Sequence, residues 1–175
     1  MELTHKAHGN IFEAVRFTAL AVSKDKMAPG VLRTIDITPG VIQATDGRRM
    51  HRATPEHWIP AGFYRVIKSS KASILIEKSE EQYSFPDCQA ILNIIMQDNR
   101  TTHVFSHFSS DEHYQPYTEI VRKMDNEITL NYQYVSDALS GGATTFSVHN
   151  NSGVHIINDA ATLQAVVMPC KIKRS

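Results

Sequence analysis

The chain of 175 residues is poor in the features that announce a particular chemistry. Its two cysteines, Cys88 and Cys170, form no C-x-x-C pair, and the N-terminal Met1-Glu2-Leu3-Thr4-His5-Lys6 lacks the apolar stretch of a secretory signal. A disulfide scaffold is therefore excluded, and both thiols are expected to be reduced packing groups of a cytoplasmic protein. No apolar run approaches the roughly 18 residues that a membrane-spanning helix needs. Neither charge predominates: 18 Lys and Arg stand against 18 Asp and Glu, which leaves no bulk electrostatic drive toward nucleic acid. There is no G-x-S-x-G, no phosphate-cradling glycine loop and no H-E-x-x-H, so nucleophilic, phosphate-binding and zinc-protease chemistries have no support, and neither an enzymatic activity nor a cofactor is expected. Nine histidines stand out against this background. His103, His107 and His113 lie near Asp111 and Glu112, but the residues between them are strand-like or irregular and no cysteine joins them, so a metal site is not expected.

What is present is ordinary globular material, 42% hydrophobic and 21% charged, long enough to bury a core in one domain or two very small ones. From Asn10 to about Lys24 the apolar residues Ile11, Ala14, Val15, Ala19 and Val22 recur at helical spacing, with Asn10 as candidate N-cap and Phe12, Phe17 and Leu20 broadening the buried face. Pro29-Gly30 breaks the chain, Val31 to Ile37 alternates like a half-buried strand, and Pro39-Gly40 turns it back into Val41 to Ala44. Phe63 to Lys68 and Ser73 to Lys78 suggest a second hairpin, although the first of these segments also suits a short helix. Leu130 to Leu139 reads as a helix stopped by Gly141-Gly142, followed by strands at Thr144 to His149, Val154 to Asn158 and Leu163 to Lys171. Helix followed by strands thus occurs twice.

Three segments carry more specific information. They are Val41-Ile42-Gln43-Ala44-Thr45-Asp46-Gly47-Arg48-Arg49-Met50, Tyr83-Ser84-Phe85-Pro86-Asp87-Cys88-Gln89-Ala90-Ile91-Leu92, and Gln164-Ala165-Val166-Val167-Met168-Pro169-Cys170-Lys171-Ile172. In this order they resemble the A-T-D-G turn, the F-P-D-Y segment and the terminal V-V-M-P strand of the bacterial DNA sliding clamp, the beta subunit of the replicative polymerase. Arg48 stands where that family usually has His, Asn93 where it has Pro, Cys170 where it has Met and Lys171 where it has Arg.

The resemblance implies an α+β sliding-clamp fold, with two helices packed on antiparallel sheets in a pseudo-twofold repeat. It implies a single clamp-like domain over residues 1–175, with an insertion at about 93–125 where no match is found. It further implies a peptide groove with Thr45, Gly47, Arg49 and Met50 on one wall and Val166, Val167, Met168, Pro169 and Ile172 on the other. Met50 and Met168 suit either such an adaptable surface or a plain core. Arg16, Lys24 and Lys26 become the candidate DNA-facing residues, although a solvated face explains them equally. The implied role is a non-enzymatic processivity factor that encircles double-stranded DNA without reading its sequence, as a homo-oligomeric ring, and tethers polymerase-type partners. The alternative is a monomeric or dimeric adaptor or decoy that keeps the groove without a ring.

Overall fold

A computed structural model describes residues 1–97, 102–105, 114–124, 128–149, 153–158 and 160–171. The chain is α+β, and its contacts divide it into two compact units, Met1–Pro86 and Asp87–Ser175. Set beside the expectation of one domain with an insertion, the stretch 93–125 contributes to the second unit part of a helix, a short strand and a further helix.

The first unit runs β1 (Glu2–Thr4), α1 (His5–Ala19), a 3-10 turn (Gly30–Arg33), β2 (Ile35–Thr38), β3 (Val41–Thr45), β4 (Arg49–Ala53), β5 (Gly62–Ser69) and β6 (Ser73–Lys78). Its strands lie in the order β1-β6-β5-β2-β3-β4, each antiparallel to its neighbour. Alternation puts Ile35 and Ile37 of β2, Ile42 and Ala44 of β3, and Ile74 and Ile76 of β6 into the core, where Leu3, Phe12 and Val15 join them. Asp36, also buried, accepts a 2.8 Å hydrogen bond from Gln43 Nε2, so this polar side chain within the sheet has a partner.

The first helix differs from expectation at both ends. It starts earlier, at His5, where Thr4 rather than Asn10 is the N-cap, its Oγ1 accepting from Ala7 N at 3.3 Å. Gly9, at φ +36°, breaks the helical path, so regular winding resumes where the apolar periodicity begins. It stops at Ala19 rather than near Lys24. Beyond it, i to i+3 bonds tighten the chain through Val22, and Ser23 N donates to Leu32 O at 2.7 Å, which leads the backbone off the helix axis. Leu20 is consequently only half-buried, whereas Phe12 and Val15 are fully enclosed. Val31 to Arg33, expected in a strand, belong to the 3-10 turn instead.

The second unit contains α2 (Cys88–Gln97), β7 (Thr102–Val104), α3 (Tyr114–Arg122), β8 (Ile128–Thr129), α4 (Tyr132–Leu139), β9 (Ala143–His149), β10 (Gly153–Asn158), β11 (Leu163–Val167) and β12 (Cys170–Lys171). The antiparallel order β11-β10-β9-β7 forms one sheet, and β12 pairs with β8. Asn131 caps α4, accepting from Gln133 N at 2.9 Å and Tyr134 N at 3.3 Å, and Val135 and Leu139 are enclosed. Tyr117 of α3 meets the Tyr132 ring edge-on at 5.2 Å and donates to Leu130 O at 3.2 Å. The strand expected over Leu163 to Lys171 is divided at Met168-Pro169, because proline has no N–H for the ladder. Helices α2 and α3 lie in segments for which the sequence pattern gives no expectation of a helix. Across the two units the order strand, helix, strand, strand, strand occurs twice, as β1-α1-β2-β3-β4 and β8-α4-β9-β10-β11.

Candidate peptide-groove segments

The Ala-Thr-Asp-Gly sequence forms the connection between β3 and β4, and its side chains bond to their own turn. Thr45 Oγ1 donates to Arg49 O at 2.7 Å and accepts from Gly47 N at 3.1 Å. Asp46 Oδ1 accepts from the backbone N–H groups of Arg48 at 2.9 Å and Arg49 at 3.1 Å. Asp46 Oδ2 then takes the Arg49 Nε at 3.0 Å, an ion pair whose side chains are only 5% and 11% exposed for Arg49 and Asp46 respectively. Gly47 supplies the positive φ of +85° that lets so short a loop close. The Thr45 and Asp46 side chains thus take up backbone N–H groups of Gly47, Arg48 and Arg49 within the turn itself.

Of the residues expected in the groove's first wall, Thr45, Arg49 and Met50 are buried and Gly47 is exposed at the tip. Met50 is followed by His51, which is enclosed against α1: its ring stacks on Phe17 at 4.4 Å and its Nδ1 lies 2.8 Å from Phe17 O. In the second wall, Val166 and Val167 are buried, Pro169 is half-buried and Met168 is 40% exposed at the break between β11 and β12. Gly153 on β10 leaves room for this bend, since a Cβ there would stand 3.0 Å from Val167 O and 3.6 Å from Met168 Sδ. Ile172 lies outside the described residues. Thr45, Gly47, Arg49 and Met50 thus lie in the first unit, and Val166, Val167, Met168 and Pro169 in the second.

The basic candidates separate. Arg16 is on α1 with Nη1 3.5 Å from Glu13 Oε2, while Lys24 and Lys26 are exposed in the loop beyond the helix, contrary to the helical placement expected for Lys24. Among the described residues no group of three or more His, Cys, Asp or Glu side chains is arranged to hold a metal ion; His107, Asp111, Glu112 and His113 fall outside them. Neither cysteine is in a disulfide; Cys88 is buried and Cys170 half-buried. Among the described residues no helix is long and apolar enough to cross a membrane.

Sequence comparison finds no matching family model and no matching curated protein. Structural comparison is decisive for the fold. The DNA polymerase sliding clamp of Pseudomonas aeruginosa matches with a TM-score of 0.59 at 12% identity, over 98% of this chain and 66% of that one. The fold is sliding-clamp-like. The clamp from Bacillus subtilis matches with a TM-score of 0.61 at 11% identity, over 98% of this chain and 64% of that one. The beta sliding clamp of C. crescentus gives 0.61 at 13% identity, over 98% and 65%. The chain thus spans slightly less than two thirds of the clamps it resembles.

One further cluster surrounds Glu81, which is exposed but engaged by two side chains. Arg65 Nη2 donates to Glu81 Oε1 at 2.9 Å and Tyr83 donates its hydroxyl proton to Glu81 Oε2. These contacts hold the Glu81 carboxyl below its ordinary range, the Tyr83 hydrogen bond first and the Arg65 charge after it. Tyr83 and Glu81 are two residues apart, but Arg65 and Glu81 are sixteen apart and are brought near by the antiparallel pairing of β5 with β6.

Proposed function

We propose that the chain acts as a sliding-clamp-like accessory protein of DNA replication or repair, with no catalytic step of its own. The single observation that carries this reading is the clamp-like fold over nearly the whole chain, supported by the internally hydrogen-bonded Thr45 to Met50 turn and the exposed Met168. In this reading Thr45, Gly47, Arg49 and Met50 contribute one wall, and Val166, Val167, Met168, Pro169 and Ile172 the other, of peptide grooves formed within one subunit or between copies, which receive short apolar motifs of polymerases and other partners. Methionine suits such a surface because its thioether repacks around different anchors. Several copies close into a ring around double-stranded DNA, whose retention is topological and needs no base contacts, and Arg16, Lys24 and Lys26 supply diffuse attraction to phosphate. The chain is taken as one clamp-like domain carrying an insertion at 93–125, working in the cytoplasm.

A second reading has its own support. Arg16 is already engaged by Glu13, and α4 carries Asp137 but no basic residue, which suits an adaptor that holds the groove without enclosing DNA. Light scattering coupled to size exclusion separates the two: a closed oligomer is expected for the ring and a monomer or dimer for the adaptor. Both require the groove. A titration with a fluorescent clamp-binding peptide is expected to show saturable binding that Met168→Asp abolishes, and equal binding by both proteins would refute the groove.

A further inference from the structure

At the outer edge of the second unit's sheet, β7 has β9 on one side and, among the described residues, no strand on the other. Phe105 N donates to Thr144 O at 3.0 Å, and with His103 opposite Phe146 and Val104 opposite Thr145, this fixes which residues face the ladder. Alternate residues of an antiparallel pair exchange hydrogen bonds, so His103 and Phe105 point their backbone groups toward β9 and Val104 points its N–H and C=O outward. Val104 is also 72% exposed, an unusual position for a β-branched side chain.

Beside this edge lies a cavity of about 460 Å³ lined by His103, Val104 and Phe146 from the sheet, by Glu119 and Arg122 from α3, and by Lys123 just beyond it. Its floor is aromatic: His103 packs on Phe146 at 5.1 Å, and Phe105 stacks on the same ring at 4.7 Å. Arg122 and Lys123 are both exposed, and among the described residues neither side chain has a hydrogen bond or ion pair. Among the described lining residues, two unengaged cations stand against the one carboxylate of Glu119, a balance favourable to negative charge.

We propose that β7 is a docking edge for an extended acidic peptide segment of a partner protein, which adds to the sheet as a further antiparallel or parallel strand. The partner's backbone would complete the outward N–H and C=O of Val104. Because side chains alternate across a strand, carboxylates on one face of the added segment would reach Arg122 and Lys123, while β-branched residues on the other would lie beside Val104. Backbone pairing supplies the attachment, and the two cations select the charge. The segment so recognised alternates acidic and β-branched residues, and it engages a surface independent of the groove segments.

The test is fluorescence anisotropy at low salt with the full chain and a short labelled peptide alternating Glu and Val. Two control peptides accompany it, one with Lys for Glu and one of equal negative charge with Pro at alternate positions. The wild type is expected to bind the Glu/Val peptide and neither control. Val104→Pro removes the outward N–H without touching the β7–β9 ladder, and should weaken binding about tenfold or more with the melting temperature held. Should that variant misfold, Thr102→Pro alters the equivalent outward position. Arg122→Glu combined with Lys123→Glu should lose the Glu/Val peptide and gain the Lys/Val one. Equal affinity for the proline-broken peptide, or unchanged binding by a folded proline variant, would overturn strand addition and leave charge attraction alone. Displacement of the peptide by equimolar inorganic phosphate would identify a simple anion site instead. Self-association that disappears with Val104→Pro, without peptide binding, would make the occupant a second copy of this chain; either result overturns the proposal.

Discussion

Breaking the Asp46–Arg49 pair should destabilise the first unit far more than an ordinary turn substitution does. Arg49 is 5% exposed and Asp46 11%, so the guanidinium cannot be rehydrated in place when its carboxylate is removed. Loss of one partner from a buried pair costs about 3–5 kcal/mol, a large part of the roughly 5–15 kcal/mol by which domains are stable. Asp46→Asn isolates this effect, because its remaining oxygen still accepts from the N–H groups of Arg48 and Arg49. Asp46→Ala removes that acceptor as well. The Arg48 bond is exposed and water replaces it, but the Arg49 N–H is partly buried, so alanine should cost about 1–3 kcal/mol beyond asparagine. Arg49→Met removes the buried charge itself and leaves Asp46 with its backbone donors, for a smaller loss of about 1–2 kcal/mol. Urea unfolding followed by the fluorescence of Trp58, the sole tryptophan and a residue of the same unit, measures all three. The ordering Asp46→Ala, Asp46→Asn, Arg49→Met, from most to least damaging, is the expected result. A loss below about 1 kcal/mol for Asp46→Asn, or one matched by Arg49→Met, would refute the argument that burial of the guanidinium sets the cost.

Other consequences can be measured directly. Leu139→Ala, at a fully enclosed position on α4, should lower stability by about 2–5 kcal/mol in thermal or urea denaturation, and a neutral result would contradict the packing of α4 against its sheet. Arg16→Glu with Lys24→Glu should reduce retention on circular DNA under the ring reading while the circular dichroism spectrum is unchanged; undiminished retention would remove these residues from the DNA interface. The lowered Glu81 carboxyl favours the folded state above the ordinary carboxylate range and loses that contribution as pH falls through its folded value. Glu81→Gln should therefore be less stable than wild type at neutral pH and equal to it in acid, and a difference that persists in acid would point to some other cause. The effect should be small and suppressed by salt, since Arg65 and Glu81 are half or more exposed.

The sequence by itself determined the local structure wherever a short signal acted alone. Pro39-Gly40 turns β2 into β3, Asp46-Gly47 closes the next loop, Asn131 starts α4, and Gly141-Gly142 follows its end; each depends on conformational limits or bonds within a few residues. The alternation of Ile35 and Ile37 likewise announced a buried strand face. What the sequence could not declare was β4, because Arg49-Met50-His51-Arg52 breaks the polar and apolar alternation. Its burial becomes tolerable only when Asp46 neutralises Arg49 and the Phe17 carbonyl and ring receive His51 from a helix thirty-four residues away. Tertiary structure also stopped α1 at Ala19, through a bond from Ser23 to Leu32, and left Leu20 half-buried although periodicity alone continued toward Lys24. The same holds at the two candidate sites. The turn was legible because its bonds are local, whereas the cavity beside β7 arises from residues of β7, α3 and β9 that only folding assembles.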